Sequence, residues 1–166
     1  MNFPTAVDHI FSDEGLYSDH AADRGGATKY GVTIHTLRRY RGREVSKEDV
    51  QALTVEEAQD IYKKYYWQEG HCPDLPPQLR YFHFDSCVQH GTGGALRILQ
   101  RAAGTVDDGL WGPNTEKAVA LCGLGSYAVE RSLYYMRIIG GDHGQAVFAN
   151  GWANRLEKVY KRAKQD

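Results

Sequence analysis

The stretch from Glu14 to Thr33, EGLYSDHAADRGGATKYGVT, constrains the fold of this chain more than any other. Just before it, apolar residues recur at spacings of three and four residues, namely Val7, Ile10 and Phe11. This spacing predicts a helix that runs from Pro4, and Glu14 continues its apolar face. A carboxylate on such a face costs free energy unless the face opens into a cleft. The glycines and polar residues that follow predict a tight turn or a short hairpin.

Two carboxylates in this stretch offer a route to glycosidic bond cleavage. A partly buried Glu14 would resist ionisation and so carry a proton to a leaving oxygen. A better solvated Asp23 would stay charged and either activate water or stabilise an oxocarbenium-like transition state. The residues alone leave a second interpretation open, in which Glu14 is an ordinary solvated group at the end of a helix.

The spacing of these residues resembles a known family. The run Glu14-Gly15-x-Tyr17, five residues, then Asp23-x-Gly25-Gly26-Ala27-Thr28-x-x-Gly31-Val32-Thr33 is similar to the signature of glycoside hydrolase family 108. That family comprises N-acetylmuramidases found among bacteriophage endolysins and related bacterial proteins. Leu16 stands where the family usually has a second glycine. The resemblance implies that Glu14 is the proton donor and that Asp23 and Thr28 complete the catalytic set. It also implies substrate contacts at Tyr17, Gly26, Tyr30 and Thr33.

The composition excludes several classes of protein. The chain has 166 residues, of which 42% are hydrophobic and 25% charged, and its net charge is −1. These values are typical of a soluble globular protein and give no reason to expect nucleic acid as a partner. The N-terminal sequence MNFPTAVDHIFSDEG contains neither a signal peptide nor a membrane span, so we expect no stable membrane insertion. We expect a monomer, and we expect the three separated cysteines to be reduced thiols.

The location follows from the expected substrate. If the substrate is bacterial peptidoglycan, the protein stays in the host cytoplasm until it is released to the periplasm and cell wall. The resemblance implies a phage holin as the agent of release.

The middle of the chain predicts short helices and a connection. Thr33 is expected to cap a basic helix that ends near Gly42, and Ser46 and Thr54 each begin a pattern typical of a capping box. The basic helix is either a solvated face or a contact for acidic groups of the envelope. Tyr65, Tyr66 and Trp67 are either core residues or a platform for sugar rings. Residues 70–77 form a proline-rich connection, and no spacing there indicates a metal site or a cofactor.

The rest of the chain predicts further helices. Two buried helices, at 81–89 and 95–102, precede a turn at 107–112 and a helix capped by Asn114 or Thr115. A further helix at 127–139 breaks at Gly140-Gly141, and a basic amphipathic helix follows at 147–163. That last helix either docks on the core or contacts an anionic envelope.

This region carries a second resemblance. The pattern F-D-x-x-V-x-x-G…A-x-x-x-L-Q…D-G-x-x-G-x-x-T is similar to the predicted peptidoglycan-binding module that accompanies family 108 catalytic regions, with Gln89 in place of the usual Asn. Asp108, Trp111 and Thr115 match its turn, and we include Trp111 among the substrate-binding candidates. The other interpretation is a purely structural turn with Trp111 in the core.

Together these patterns predict a mainly α, lysozyme-like helical fold with a short β-hairpin near the active site and a smaller C-terminal helical module. We expect a catalytic region at 1–90 and a peptidoglycan-binding module at 91–166, packed as one compact unit. The expected activity is hydrolysis of the β-1,4 bond between N-acetylmuramic acid and N-acetylglucosamine. Two alternatives remain, a lytic transglycosylase acting on the same bond and a non-catalytic wall-binding or virion protein.

Overall fold

The fold is mainly α, as predicted. The computed structural model describes residues 1–13, 17–18 and 28–165. These residues form eight α-helices, whose bounds are α1 Phe3–Asp13, α2 Ile34–Arg41, α3 Lys47–Gln51, α4 Val55–Tyr62, α5 Pro77–Ala102, α6 Pro113–Val119, α7 Leu124–Gly141 and α8 Ala149–Lys164. Their three short strands are β1 Tyr17–Ser18, β2 Thr28–Lys29 and β3 Val32–Thr33. A π-helix, Lys63–Gln68, follows α4, and 3-10 helices lie at Cys72–Asp74 and His143–Phe148.

The chain divides into two compact units, Phe3–Tyr65 and Tyr66–Asp166 together with Met1–Asn2. The predicted division after residue 90 follows sequence motifs rather than spatial contacts, and it stays a prediction. No helix within the described residues is both long and apolar enough to cross a membrane.

The unit Phe3–Tyr65 begins with the helix that the apolar spacing predicts. Val7 and Ile10 in α1 are fully buried, together with Ala6. The three strands form one antiparallel sheet in the order β1-β2-β3. Ser18 pairs with Thr28, and Thr28 pairs with Thr33, so Thr28 lies in the central strand.

The caps of this unit follow the sequence closely. Thr33 caps α2 by accepting a hydrogen bond from the backbone N–H of Thr36, and α2 ends at Gly42, whose φ of 66° is left-handed. The capping box of Ser46 and Asp49 is complete. Thr54 forms only half of the expected box, because the Glu57 carboxylate accepts hydrogen bonds from Arg41 instead.

The unit Tyr66–Asp166 is built around α5. This helix spans 26 residues and contains one non-helical residue, Gly91, which separates the two helices that the sequence predicts. α5 packs against α7 and α8, and α7 packs against α8. Docking of α8 on its own unit is therefore its observed role, with Val159 and Ala163 buried.

Two expectations for this unit were wrong in detail. Gly112 caps α6, rather than Asn114 or Thr115, because Pro113 already occupies the first helical position. The glycines at 140 and 141 stay helical, and the chain breaks at Asp142. Arg155 lies in the basic amphipathic helix predicted at 147–163, and it donates hydrogen bonds to the buried carboxylate of Asp85.

Candidate functional site

An aromatic cluster anchors the hairpin of the first unit to α1. The Phe11 ring lies 5.6 Å from the Tyr30 ring and 5.2 Å from the Tyr62 ring, measured between centroids, and meets Tyr62 edge to face. The Tyr62 hydroxyl donates a hydrogen bond of 3.1 Å to the Tyr30 carbonyl. Because aromatic pairs of this geometry add to the stability gained by burial, the last turn of α1 and the hairpin are held together.

The turn between β2 and β3 places Thr28 opposite Thr33. Tyr30 and Gly31 are the two central residues, and both have positive φ values, 51° and 73°. Two such residues match the right-handed twist of a tight hairpin, and glycine adopts this conformation at no steric cost. The Oγ1 atoms of Thr33 and Thr36 lie 3.1 Å apart, so the Thr33 hydroxyl serves the start of α2.

The predicted catalytic and substrate-binding residues fall partly outside the described residues. Glu14, Asp23 and Gly26 lie outside them, and Tyr17 is placed only through the backbone pairing of β1 with Lys29. Thr28 and Thr33 are brought together in the sheet, and Tyr30 joins the aromatic cluster. Trp111 belongs to the second unit. The roles of all these residues stay predictions.

The arginines of α2 form ion pairs. Arg41 donates two parallel hydrogen bonds of 2.8 Å to Glu57 and one of 2.7 Å to Asp49. Arg38 pairs with Glu44 at 2.8 Å, and the Arg39 guanidinium lies 4.1 Å from the centroid of the Tyr65 ring. Because these arginines interact with groups of their own unit, a structural role is favoured for the basic helix α2 over a contact with acidic groups of the envelope.

The second unit holds a buried cluster of residue types that bind metals. Ligand atoms of Cys72, His83 and Cys87 lie within 4.8 Å of one another, and these residues could hold a soft metal ion. His83 is already satisfied by protein groups, since Nε2–H donates to the Gly70 carbonyl at 2.9 Å and Nδ1 lies 2.6 Å from the Tyr127 hydroxyl. Burial raises the pKa of the Cys72 thiol well above its usual value, which favours the neutral thiol.

Gln100 organises the turn that the sequence singled out. Its buried amide nitrogen lies 2.9 Å from Asp108 Oδ1 and 3.0 Å from both the Leu110 carbonyl and Thr115 Oγ1. Its carbonyl oxygen accepts a hydrogen bond of 2.8 Å from the N–H of Gly109. Asp108 and Thr115 therefore shape the turn, and Trp111 is left at its end, half-buried.

Trp111 lies in a groove rather than in the core. Its ring stacks on His71 with centroids 4.9 Å apart and planes 10° apart. Both rings line a groove of about 240 Å³ within the second unit. The structure thus rejects the interpretation of Trp111 as a core residue.

Sequence reasoning missed His71 and the way in which the residues around this groove come together. Gln100 and Asp108 are eight residues apart, but His71 and Trp111 are forty apart, and no periodic pattern joins them. The unusual left-handed backbone of His71, with φ of 58°, has no signature in the sequence either. The sequence signal for this region was the D-G-x-x-G turn together with the L-Q pair, both of which belong to the pattern that resembles the peptidoglycan-binding module.

Comparison with known proteins identifies the class. The family model described as Glycosyl hydrolase 108 matches residues 7–91, and the one described as Predicted Peptidoglycan domain matches residues 94–157. The chain therefore belongs to the glycosyl hydrolase 108 family. It is a lysozyme-like glycoside hydrolase that acts on peptidoglycan, and both predicted resemblances are confirmed, in the predicted order.

A solved structure matches almost the whole chain. The chain is 35% identical to Brucella abortus SagA, with a TM-score of 0.86 over 98% of this chain and 94% of that one. No curated protein matches the chain. A relative of this similarity confirms the mainly α fold with its short antiparallel sheet.

Proposed function

We propose that the chain is an endolysin-type N-acetylmuramidase that hydrolyses the β-1,4 bond between N-acetylmuramic acid and N-acetylglucosamine. The observation that carries the proposal is the match to the glycosyl hydrolase 108 model, because residues 7–91 include the whole stretch from Glu14 to Thr33. The peptidoglycan domain match at 94–157 supports the same substrate.

In this proposal two carboxylates share the chemistry. Glu14 donates a proton to the glycosidic oxygen, and Asp23 acts as general base or stabilises the developing positive charge. A carboxyl separation of about 5 to 5.5 Å would give retention through a covalent intermediate, and about 6.5 to 9.5 Å would give inversion by an attacking water. Product stereochemistry, followed by NMR, therefore reports the role of Asp23.

The described part of the first unit supports these roles through its geometry. α1 ends at Asp13, directly before Glu14, and the connection that carries Asp23 joins the paired strands β1 and β2. Thr28 lies where that connection ends, in the central strand. A hydroxyl held in a sheet is suited to orient a water molecule or Asp23, because its backbone has little freedom to move.

The decisive test is Glu14→Gln. This variant keeps the size and hydrogen-bonding capacity of the side chain but cannot donate the acidic proton. We expect the rate of turbidity loss with purified sacculi to fall by at least about a hundredfold. Glu56→Gln is the matched control, since Glu56 is an exposed glutamate on α4. Activity of Glu14→Gln within a few-fold of Glu56→Gln would refute the assignment of Glu14.

Product analysis separates hydrolysis from the alternatives. Mass spectrometry of the digested wall should show muropeptides with reducing ends. Anhydro-muropeptides in their place would identify a lytic transglycosylase, which needs the acid but no second carboxylate. Binding to sacculi with no loss of turbidity would identify a non-catalytic wall-binding protein.

The cellular role is part of the proposal. Because peptidoglycan lies outside the inner membrane, we place the protein in the host cytoplasm until a holin-type membrane protein releases it. Cytoplasmic expression should then lyse cells only when the inner membrane is permeabilised, and lysis without that step would contradict the role. We expect a monomer, which light scattering after gel filtration would test.

A further inference from the structure

We propose that the groove lined by His71 and Trp111 in the second unit binds one sugar ring of the peptidoglycan glycan strand. The groove lies wholly within residues 69–111. The residues that carry the argument are Glu69, His71, Thr92, Gly93, Leu110 and Trp111. The inference rests on the proposed function for the identity of its ligand, but not on the mechanism of cleavage.

The aromatic side of the groove suits the face of a pyranose ring. His71 and Trp111 stack face to face, so each ring covers one face of the other, and in this proposal the sugar packs on a ring surface that the stack leaves uncovered. His71 is held in this position by its left-handed backbone and by Asp74, whose Oδ2 lies 3.0 Å from His71 Nδ1. A pyranose ring presents axial C–H groups on one face, and a flat aromatic surface covers such a face without desolvating its hydroxyls.

The polar residues of the groove can bind the hydroxyl groups at the edge of a sugar ring. The Glu69 carboxylate can accept hydrogen bonds from sugar hydroxyls and from an acetamido N–H, and the Thr92 hydroxyl can donate or accept. Neither lysine nor arginine is among the residues that line the groove. A site with a carboxylate and no such cation favours a neutral sugar over a phosphate or another anion.

The backbone keeps the groove open. At Gly91, with φ of 70° and ψ of 158°, the chain leaves the helical path of α5 just before Thr92 and Gly93. A Cβ atom added at Gly93 would meet nothing within 4 Å, so the space beside this residue is empty of protein. The volume of about 240 Å³ lies below the 300 Å³ or so typical of the smallest sites for drug-sized ligands. It therefore fits one sugar ring better than a longer segment.

The groove crosses the boundary between the two family matches. Glu69 and His71 lie within the glycosyl hydrolase 108 match at 7–91, and Trp111 lies within the peptidoglycan domain match at 94–157. The stacked pair thus needs one ring from each matched region. In this proposal glycan binding is a property of the second unit as a whole, and residues 94–157 alone would supply only part of the site.

The test uses the full chain with Glu14→Gln and the soluble probe chitotetraose. The chain has three tryptophans, so its indole N–H groups give three NMR signals. The Trp111 signal is assigned by its loss in Trp111→Phe. We expect chitotetraose to shift this signal, and an unmoved Trp111 signal would overturn the proposal.

A second pair of variants tests the groove itself. Gly93→Gln places a side chain in the empty space while leaving both aromatic rings intact, and we expect it to weaken chitotetraose binding at least tenfold. Gly140→Gln is the matched control, because Gly140 is also an exposed helical glycine with nothing within 4 Å of its Cβ position. Equal binding by the two variants would overturn the proposal.

These measurements distinguish failure of the groove from failure of the enzyme. The NMR experiment measures binding without turnover. Anhydro products or an active Glu14→Gln variant would therefore refute the proposed mechanism, but a shift of the Trp111 signal would still support the sugar site. Conversely, if the protein is a muramidase but chitotetraose does not shift its Trp111 signal, the proposed function stands and the proposed sugar site is refuted.

Discussion

Each unit contains a network of arginines and carboxylates, and the two networks differ in depth. In the first unit Arg41 joins Asp49 and Glu57, and these side chains keep 19 to 25% of their surface exposed. In the second unit Asp85 accepts hydrogen bonds from Arg131 at 2.6 Å and from Arg155 at 2.8 Å. The side chains of Asp85 and Arg131 are fully buried.

The difference shows what each network does for its unit. An ion pair near the surface gains little free energy, because water screens it and competes for its hydrogen bonds. A buried charge is expensive to leave unpaired, so its partners become obligatory. The Arg131 guanidinium also lies 5.2 Å from the Phe82 ring centroid and 5.9 Å from that of Tyr135, which places the charge among aromatic faces. We infer that α5, α7 and α8 depend on Asp85 far more than the first unit depends on Arg41.

The largest effect is expected for Asp85→Asn. The variant keeps the side-chain shape but leaves two arginines without their shared carboxylate, at a cost of about 3 to 5 kcal/mol in the free energy of unfolding. Urea denaturation followed by circular dichroism would measure it. Asp107→Asn is the matched control, because Asp107 pairs with Arg101 on the surface of the same unit. If both variants unfold at the same urea concentration, the buried network does not stabilise the unit.

A smaller effect is expected for Arg41→Gln. The variant loses the two-pronged contact with Glu57 and the bond to Asp49, which we expect to cost about 1 kcal/mol in the free energy of unfolding. In about 1 M NaCl, where the Debye length is about 3 Å, the difference from the parent should shrink, whereas the effect of Asp85→Asn should persist. Arg43→Gln is the control, since Arg43 is 57% exposed and its loss leaves Arg41 in place. A loss for Arg41→Gln as large as that for Asp85→Asn would contradict the comparison.

The same contrast explains how much the sequence could predict. The capping box of Ser46 and Asp49 was predicted because its residues are three apart, and the apolar face of α1 was predicted because a helix repeats every 3.6 residues. Asp85 and Arg131 are 46 residues apart, and only tertiary packing brings them together. The capping box predicted at Thr54 is only half formed, because Arg41, which is distant in sequence, binds the Glu57 carboxylate. A local sequence pattern therefore fails where a distant residue competes for one of its members.

The candidate sites follow this rule as well. Glu14, Asp23 and Thr28 came from a short motif, so resemblance could propose them, and their roles remain predictions. Trp111 was singled out by its turn, but its partner His71 was not, since the stack joins two elements that no local pattern links. In the sequence Gln100 is only one residue of a motif, whereas the structure shows that it forms hydrogen bonds with four residues in and around the turn.

The smallest effect is a pH dependence that Asp49 gives to the first unit. Hydrogen bonds from Arg43 and from the Ser46 N–H lower the pKa of Asp49 to about 2, below its ordinary value of about 3.9. A carboxyl whose pKa is lower in the folded state stabilises the fold fully above the unfolded pKa, and this stability is lost as the pH falls through 2. Asp49→Asn cannot titrate, so it should be less stable than the parent at pH 7 but nearly equal to it at pH 2. Urea midpoints at the two pH values would measure this, and a difference that is the same at both would show that Asp49 is not held ionised by its partners.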